Sequence, residues 1–426
     1  MLPKILIVSR DVWDDSAAST LNNLFEDYEA NRLAHIYIET KKPNTRHCAS
    51  IFQISEYSLI RKFFHPKTKT GQKVDSHYVE NTLIAEKEAS TMDYVRHHRR
   101  YIYTVLREIL WLFNGWKTKE LRQFIQEEQP DVLWFMGSPL ILMNRLMRYV
   151  AKVSKKPYCV FEMDDVYAYE LKGFKPIKRL YRYFLRRNVR CLVEGASQLF
   201  VISPKMKKEY DALFHTNSII LTKGIDFSSI SYHPYSVHTP IQMVYMGNVI
   251  YDRISTIEMI GKAIDEINTI EKKIMFNIYT KNPIDSVTRE RIVKKGNVIF
   301  HNPVPYAEVK NVMEQNDVVV FAESLNERFK GLARLSFSTK ITDYLASGKC
   351  ILAVGPADIA PIEYLRDNDA ALVASSEVEL REILSQLLKS GVIESYSNKA
   401  FSCGVRNHDK VAINKIVFDK LIELSK

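Results

Sequence analysis

The sequence has no Gly-x-Gly-x-x-Gly run and no Gly-x-x-x-x-Gly-Lys-[Ser/Thr] run in its 426 residues. Dinucleotide and P-loop enzymes use such glycines to bring backbone close to a phosphate, so NAD and P-loop chemistry are set aside. Cysteine is scarce. The five residues, at 48, 159, 191, 350 and 403, are odd in number and scattered, with no Cys-x-x-Cys pair. Neither a disulfide framework nor a zinc ribbon fits that pattern. Several of these thiols lie in apolar runs and read as buried in a reducing compartment. Nor is there a stretch with the length and apolarity of a membrane span, since the most apolar, 132–150, is broken by Asn144 and Arg145. The chain enters strand-like Lys4-Ile-Leu-Ile-Val8 directly, without the profile of a signal peptide.

What is present is an ordinary globular composition, 46% hydrophobic and 26% charged, in a chain too long for one typical core. Two domains are expected. Strand and helix patterns alternate throughout, which predicts parallel sheets covered by helices on both faces. Strands are expected near 4–8, 34–38, 131–135, 157–161, 198–202 and 218–222. A second set is expected near 241–246, 274–279, 297–301, 317–321, 350–354 and 371–374. Between the sets, Phe227 to Pro240 is weakly periodic and reads as a linker. The final segment, 406–426, carries Val411, Ile413, Ile416, Val417, Leu421 and Ile422 at helical spacing.

The richest stretch is residues 336–355. A helix is expected from Thr339 to about Ser347, with Ser338 as N-cap and Gly348 as the stop. It feeds an apolar strand, Cys350 to Val354. Free amides and a positive dipole end at Ser338 and Thr339 suit a phosphate. Asp343, one turn in, could accept hydrogen bonds from a ribose. A plain crossover helix with a surface Asp is the competing reading.

The run Ser338-Thr-Lys-x-x-Asp-Tyr-Leu-Ala-Ser-Gly-Lys349 resembles the donor-site helix of family 4 glycosyltransferases. Val244-Tyr-Met-Gly-Asn248, Val298-Ile-Phe-His-Asn-Pro-Val-Pro-Tyr306 and Lys223-Gly-Ile-Asp226 resemble other segments of that family, in its order. The resemblance spans about 195 to 365 and thins before 130. It implies the GT-B fold: two Rossmann-like domains facing across a cleft, with the last helix crossing back to the first domain. The expected division is 1–230 on the acceptor side, 240–405 for the sugar nucleotide, and 406–426 returning. It further implies a retaining, metal-independent transferase with no cofactor beyond its donor, a UDP-sugar rather than a GDP-sugar.

The resemblance assigns donor contacts to Gly247, Asn248, Arg253, Lys281, Val304, Ser338, Thr339, Lys340 and Asp343. Arg253 and Lys281 would balance the charge that gathers on a departing diphosphate. Glu323 carries over as the first of the family's two acids, with Glu327 as the other candidate. The usual spacing of eight to the second acid is stretched here to twenty, by an insertion from Asn326 to Phe337. Asp164 and Asp165, at the end of an apolar strand, could bind an acceptor hydroxyl or orient a base. They could equally cap the next helix. The loop after the first strand lacks the family's glycines. There Asp11 and Trp13 are placed on the acceptor side, Trp13 stacking on a sugar or capping the sheet.

The net charge of +10 is uneven. From Leu171 to Val193 there are eight Lys or Arg, Lys178, Arg179, Arg182 and Arg186 among them, and no acid. Aromatic residues are interleaved. A second stretch, 94–119, carries Arg96, Arg99, Arg100 and Arg107 with Trp111, Phe113 and Trp116. Such surfaces suit anionic lipid, with nucleic acid as the rival partner and a solvated face as the plain alternative. The lipid-carried acceptors implied by the resemblance favour the membrane. The expectation is therefore a cytoplasmic glycosyltransferase, peripheral at the inner membrane face, acting on a lipid-linked glycan. A catalytically silent scaffold for polysaccharide assembly and a nucleotide-sugar epimerase of the same fold are the alternatives.

Overall fold

A computed structural model describes residues 2–15, 20–75, 101–113, 115–169 and 176–426. Two compact units emerge. One comprises Met1–Ile202, Lys207–Leu221 and Asn414–Lys426; the other comprises Ser203–Met206 and Thr222–Ile413.

The first unit is built on eight strands: β1 (Ile5–Val8), β2 (Leu33–Tyr37), β3 (Ser50–Ile54), β4 (Gly71–Val74), β5 (Val132–Met136), β6 (Tyr158–Glu162), β7 (Gln198–Val201) and β8 (Ile219–Ile220). Their order is β4-β3-β2-β1-β5-β6-β7-β8, parallel except where β4 runs antiparallel to β3. β1, β2 and β5 are buried along their whole length. They carry near-continuous apolar runs, as strands covered on both faces do. β3 and β4 were not expected. β4 is Gly-Gln-Lys-Val, an edge strand whose polar composition gives no strand signal.

The second unit holds six parallel strands: β9 (Ile241–Met246), β10 (Ile274–Tyr279), β11 (Val298–His301), β12 (Val318–Ala322), β13 (Cys350–Val354) and β14 (Leu372–Ala374). Their order is β11-β10-β9-β12-β13-β14, so the chain reverses its direction of travel between β9 and β12. Ligands of open α/β sheets bind at such switch points, beyond the carboxyl ends of the strands. The two central strands pair over only two positions, Val318 with Met243 and Val319 with Val244. By contrast β12 pairs with β13 over five. β9 and β12 therefore part before their carboxyl ends.

The stretch Phe227 to Pro240 is not a slack tether. Tyr235 and Val237 pack on the second unit's core, and the Tyr235 hydroxyl donates to the Asp317 carbonyl at 2.7 Å. The insertion Asn326–Phe337 is ordered too. It forms the helix Glu327–Ala333, capped by the Asn326 side chain, then buries Leu335 and Phe337. Four cysteines are buried; Cys191 is exposed. Among the described residues no helix is long and apolar enough to cross a membrane.

Candidate functional site

The parting of β9 and β12 opens a cavity of about 230 Å³ in the second unit. It is lined by Tyr245, Asn248, Arg253, Val320–Glu323, Ser338, Lys340 and Tyr344. Each polar group is placed by a local rule. Asn248 lies in the turn after β9. Arg253 opens the helix Arg253–Ile267. Glu323 follows β12, its amide bonded to the Val354 carbonyl at 2.8 Å and its carbonyl accepting from Thr256 Oγ1 at 2.9 Å. Ser338 occupies the N-cap of the helix Thr339–Ala346, yet its hydroxyl makes no capping bond. That helix ends before Gly348, whose φ of +66° lies in the left-handed region that favours glycine.

Arg253 and Glu323 form a fork. Nε donates to Oε2 at 2.8 Å and an Nη to Oε1 at 2.7 Å, both groups largely buried. Read from sequence, Arg253 is a free cation for the donor and Glu323 a free acid. In the structure each satisfies the other, because the fold brings together residues seventy apart in the chain. The uncommitted cation is Lys340, which has no hydrogen bond or ion pair among the described residues. Burial, and after it the Arg253 charge, push its pKa down. Its ammonium lies against Gly247, where an added Cβ would sit 2.4 Å from Nζ.

The other expected donor residues fall outside this cavity. Lys281 is exposed beyond β10, and Val304 lies half-buried after β11. Thr339 is exposed, its carbonyl accepting from Thr342 Oγ1 at 2.6 Å. Glu327 is a surface residue paired with Lys330, so of the two candidate acids Glu323 lines the cavity. Asp343 lines a separate cavity of about 650 Å³, with Tyr232, Lys349 and Phe401. One oxygen of its carboxylate is taken by Lys223 Nζ at 2.5 Å. A ribose would have to share or displace that bond.

Two expectations in the first unit are corrected. Trp13 is 1% exposed, packed on Phe25 and His35, and offers no face to a sugar. Nor do Arg107, Trp111 and Trp116 share one basic–aromatic face. Trp111 and Trp116 are core residues 5.5 Å apart, and Arg107 pairs with Glu56. Arg96, Arg99 and Arg100 lie outside the described residues. Asp11 is exposed and paired with Arg10. Asp164 is exposed, while Asp165 Oδ1 accepts from the Ala168 amide at 2.7 Å and the Tyr210 hydroxyl at 3.3 Å.

The residue the sequence did not single out is Glu162, the last of β6. It is 1% exposed and neither carboxylate oxygen has a hydrogen-bond partner among the described residues. Burial first, then Asp164 and Asp165, push its pKa up to about 8. It fits only because residue 137 is glycine, since a Cβ there would lie 2.1 Å from Oε2.

No family profile matches the sequence, and no curated protein matches it. Solved structures do. TarM superposes with a TM-score of 0.57 at 10% identity, over 100% of this chain and 99% of that one. The fold is that of the GT-B glycosyltransferases. The UDP-forming α,α-trehalose-phosphate synthase from Burkholderia vietnamiensis gives 0.59 at 10%, over 100% and 99%. The lipopolysaccharide outer core galactosyltransferase WaaB gives 0.56 at 12%, over 98% and 99%. Against a chain of the GtfA/B complex the score is 0.53 at 13%, and this chain spans 61% of that one's length.

Proposed function

We propose that the chain is a retaining glycosyltransferase that moves a sugar from a UDP-sugar to a hydroxyl of a lipid-linked glycan, without a metal. Lys340 is the observation that carries this reading. Glu323 and Asp343 favour its charge only from beyond ion-pair distance, against burial and the Arg253 charge. A largely buried ammonium with no direct hydrogen bond or ion pair is costly, and a diphosphate would offset that cost. It sits at a switch point, beside a helix N-terminus, where a nucleotide diphosphate is expected in this fold class. As the glycosidic bond breaks, negative charge gathers on the leaving diphosphate. Lys340 and the amides near Ser338 would stabilise it, with Arg253 joining if its bond to Glu323 loosens. Asp343 and Lys223 would meet the ribose together. The first unit would supply the acceptor side through Asp164 and Asp165.

The trehalose-phosphate synthase is named as UDP-forming, which supports a UDP-sugar. WaaB acts on lipopolysaccharide outer core, which supports a glycan carried on lipid. We place the protein at the cytoplasmic face of a membrane, held by the basic helix Pro176–Glu194. The mutual neutralisation of Arg253 and Glu323 favours a second reading, a nucleotide-binding scaffold without turnover. Calorimetry of UDP binding, followed by an assay of donor hydrolysis, separates the two. Lys340→Gln should weaken UDP binding about 10- to 100-fold, as expected for loss of a charge-assisted bond of about 1.5–3 kcal/mol. Unchanged UDP affinity in that variant would remove the support for this donor site.

A further inference from the structure

We propose that the first unit binds one amphiphile, a long-chain lipid phosphate or diphosphate, with its head in an arginine pocket and its chain in an adjoining apolar groove. This rests on the lipid-linked acceptor proposed above and names the site that would hold the acceptor's anchor.

The helix Pro176–Glu194 carries two different faces. Arg179, Arg182, Arg186 and Arg190 recur at helical spacing and, with Arg187, Tyr167 and Tyr169, line a pocket of about 600 Å³. Among the described residues no carboxylate lines it, though Arg190 pairs with Glu194 at 3.1 Å and the Asp165 charge acts on Arg182. Arg182, Arg186 and Arg187 form no ion pair among the described residues. Arg182 instead donates to the Tyr167 carbonyl at 2.9 Å and packs over Tyr169, while Arg186 lies over the Tyr167 ring at 4.6 Å. These tyrosine contacts hold the guanidinium groups in place without neutralising them. Burial, and after it the Arg186 charge, disfavour the charge on Arg182. Such crowding is relieved by an anion with several acceptor oxygens, and guanidinium forks match phosphate.

The neighbouring face of the same helix presents Ile177, Leu180 and Phe184, exposed by 64%, 59% and 44%. With Ile109 and Leu112 they line a groove of about 630 Å³, rimmed by Arg145 and Arg148. Contiguous exposed apolar surface of this kind marks a binding site. Arg187 lines both the pocket and the groove, so the two are adjacent. A free phosphate would fill the pocket and leave the groove exposed. A bilayer docked against this helix would cover the rims of the pocket and groove and leave both concavities unfilled. A single molecule with a polyanionic head on a hydrocarbon chain satisfies both.

Farnesyl diphosphate is a suitable soluble probe, tested on the full chain with saturating UDP to block the donor site. It is compared with inorganic pyrophosphate, farnesol and phosphatidylglycerol vesicles. Farnesyl diphosphate should bind at least tenfold more tightly than either pyrophosphate or farnesol. The pair Arg182→Gln and Arg186→Gln should weaken it tenfold or more. The exposed pair Leu180→Ser and Phe184→Ser should lower its affinity to that of pyrophosphate. Equal affinity for pyrophosphate and farnesyl diphosphate in wild type overturns the proposal in favour of a lone anion site. Equal affinity for farnesol overturns it in favour of an apolar groove alone. Vesicle binding that survives both pairs of changes, with no binding of farnesyl diphosphate, overturns it in favour of a membrane surface elsewhere. Failure of wild type to bind UDP counts against the glycosyl-transfer reading and leaves the amphiphile measurements to be judged by themselves.

Discussion

Glu162→Gln keeps the shape of a buried side chain and removes its ionisation. The folded carboxyl has its pKa pushed up to about 8, mainly by burial, against 4.5 ordinarily. Between those values the folded chain holds a proton that the unfolded chain has released. The stability this carboxyl contributes is thus fully present below about pH 4.5 and is lost as pH rises through about 8. At about 1.4 kcal/mol for each pH unit, the loss over that window reaches at most about 5 kcal/mol. The chain's four tryptophans, Trp13, Trp111, Trp116 and Trp134, all lie in the same unit as Glu162. Their fluorescence during urea unfolding therefore follows the unit that carries the change. Wild type and variant should unfold with similar stability at pH 4.5. At pH 9 the glutamine form should be more stable, by about 3–5 kcal/mol. A difference that does not vary with pH, or a glutamine form that is weaker at pH 9, refutes the reasoning.

Three other outcomes follow from the geometry. Arg253→Gln or Glu323→Gln alone should cost about 3 kcal/mol by leaving one largely buried charge unpaired, and the double change should cost less than the sum. A double-mutant cycle in urea measures that coupling. Gly247→Ala should weaken UDP binding by displacing the Lys340 ammonium, and should also lower thermal stability, since its Cβ would lie 3.0 Å from the hydroxyl of the buried Tyr245, itself held by the Asn248 carbonyl. The acid limb of stability should reflect His35 and His408, whose imidazoles burial holds neutral, with pKa values pushed down to about 3 and about 4. Their contribution is present above about pH 6.5 and is lost as pH falls, so scanning calorimetry should show Tm dropping between pH 6.5 and 4.

The strands of the second unit were legible because each is a short apolar run bounded by turn residues, and the helix at 339–346 because its cap and stop flank it. Those signals are local. Arg253 and Glu323 could be named from sequence, but not as partners, since their meeting depends on the order in which β9 and β12 lie side by side. Glu162 gave no signal at all: a carboxylate ending a strand reads as solvent-facing unless the neighbouring strand is known to bring a glycine against it. Trp13 was misplaced for a related reason, because an aromatic in a polar loop looks exposed until the helix Thr20–Phe25 is seen to cover it. Lys340 was expected at the donor site because its helix resembles the donor-site helix of the family. Its lack of a partner became visible only with Arg253 already taken.

The early parting of β9 and β12 has a mechanical consequence. Two registered positions make a weak seam in the middle of a six-stranded sheet, and the Arg253–Glu323 fork, with the Thr256 hydroxyl bond, works as a clasp across its open end. An anion that draws Arg253 away would undo the clasp while wedging itself into the gap. The sheet would then be held shut by its own ligand. Amide exchange at Phe321 and Ala322 should slow on binding if the wedge grips harder than the clasp, and quicken if it does not, so the seam itself reports how tightly the diphosphate is held.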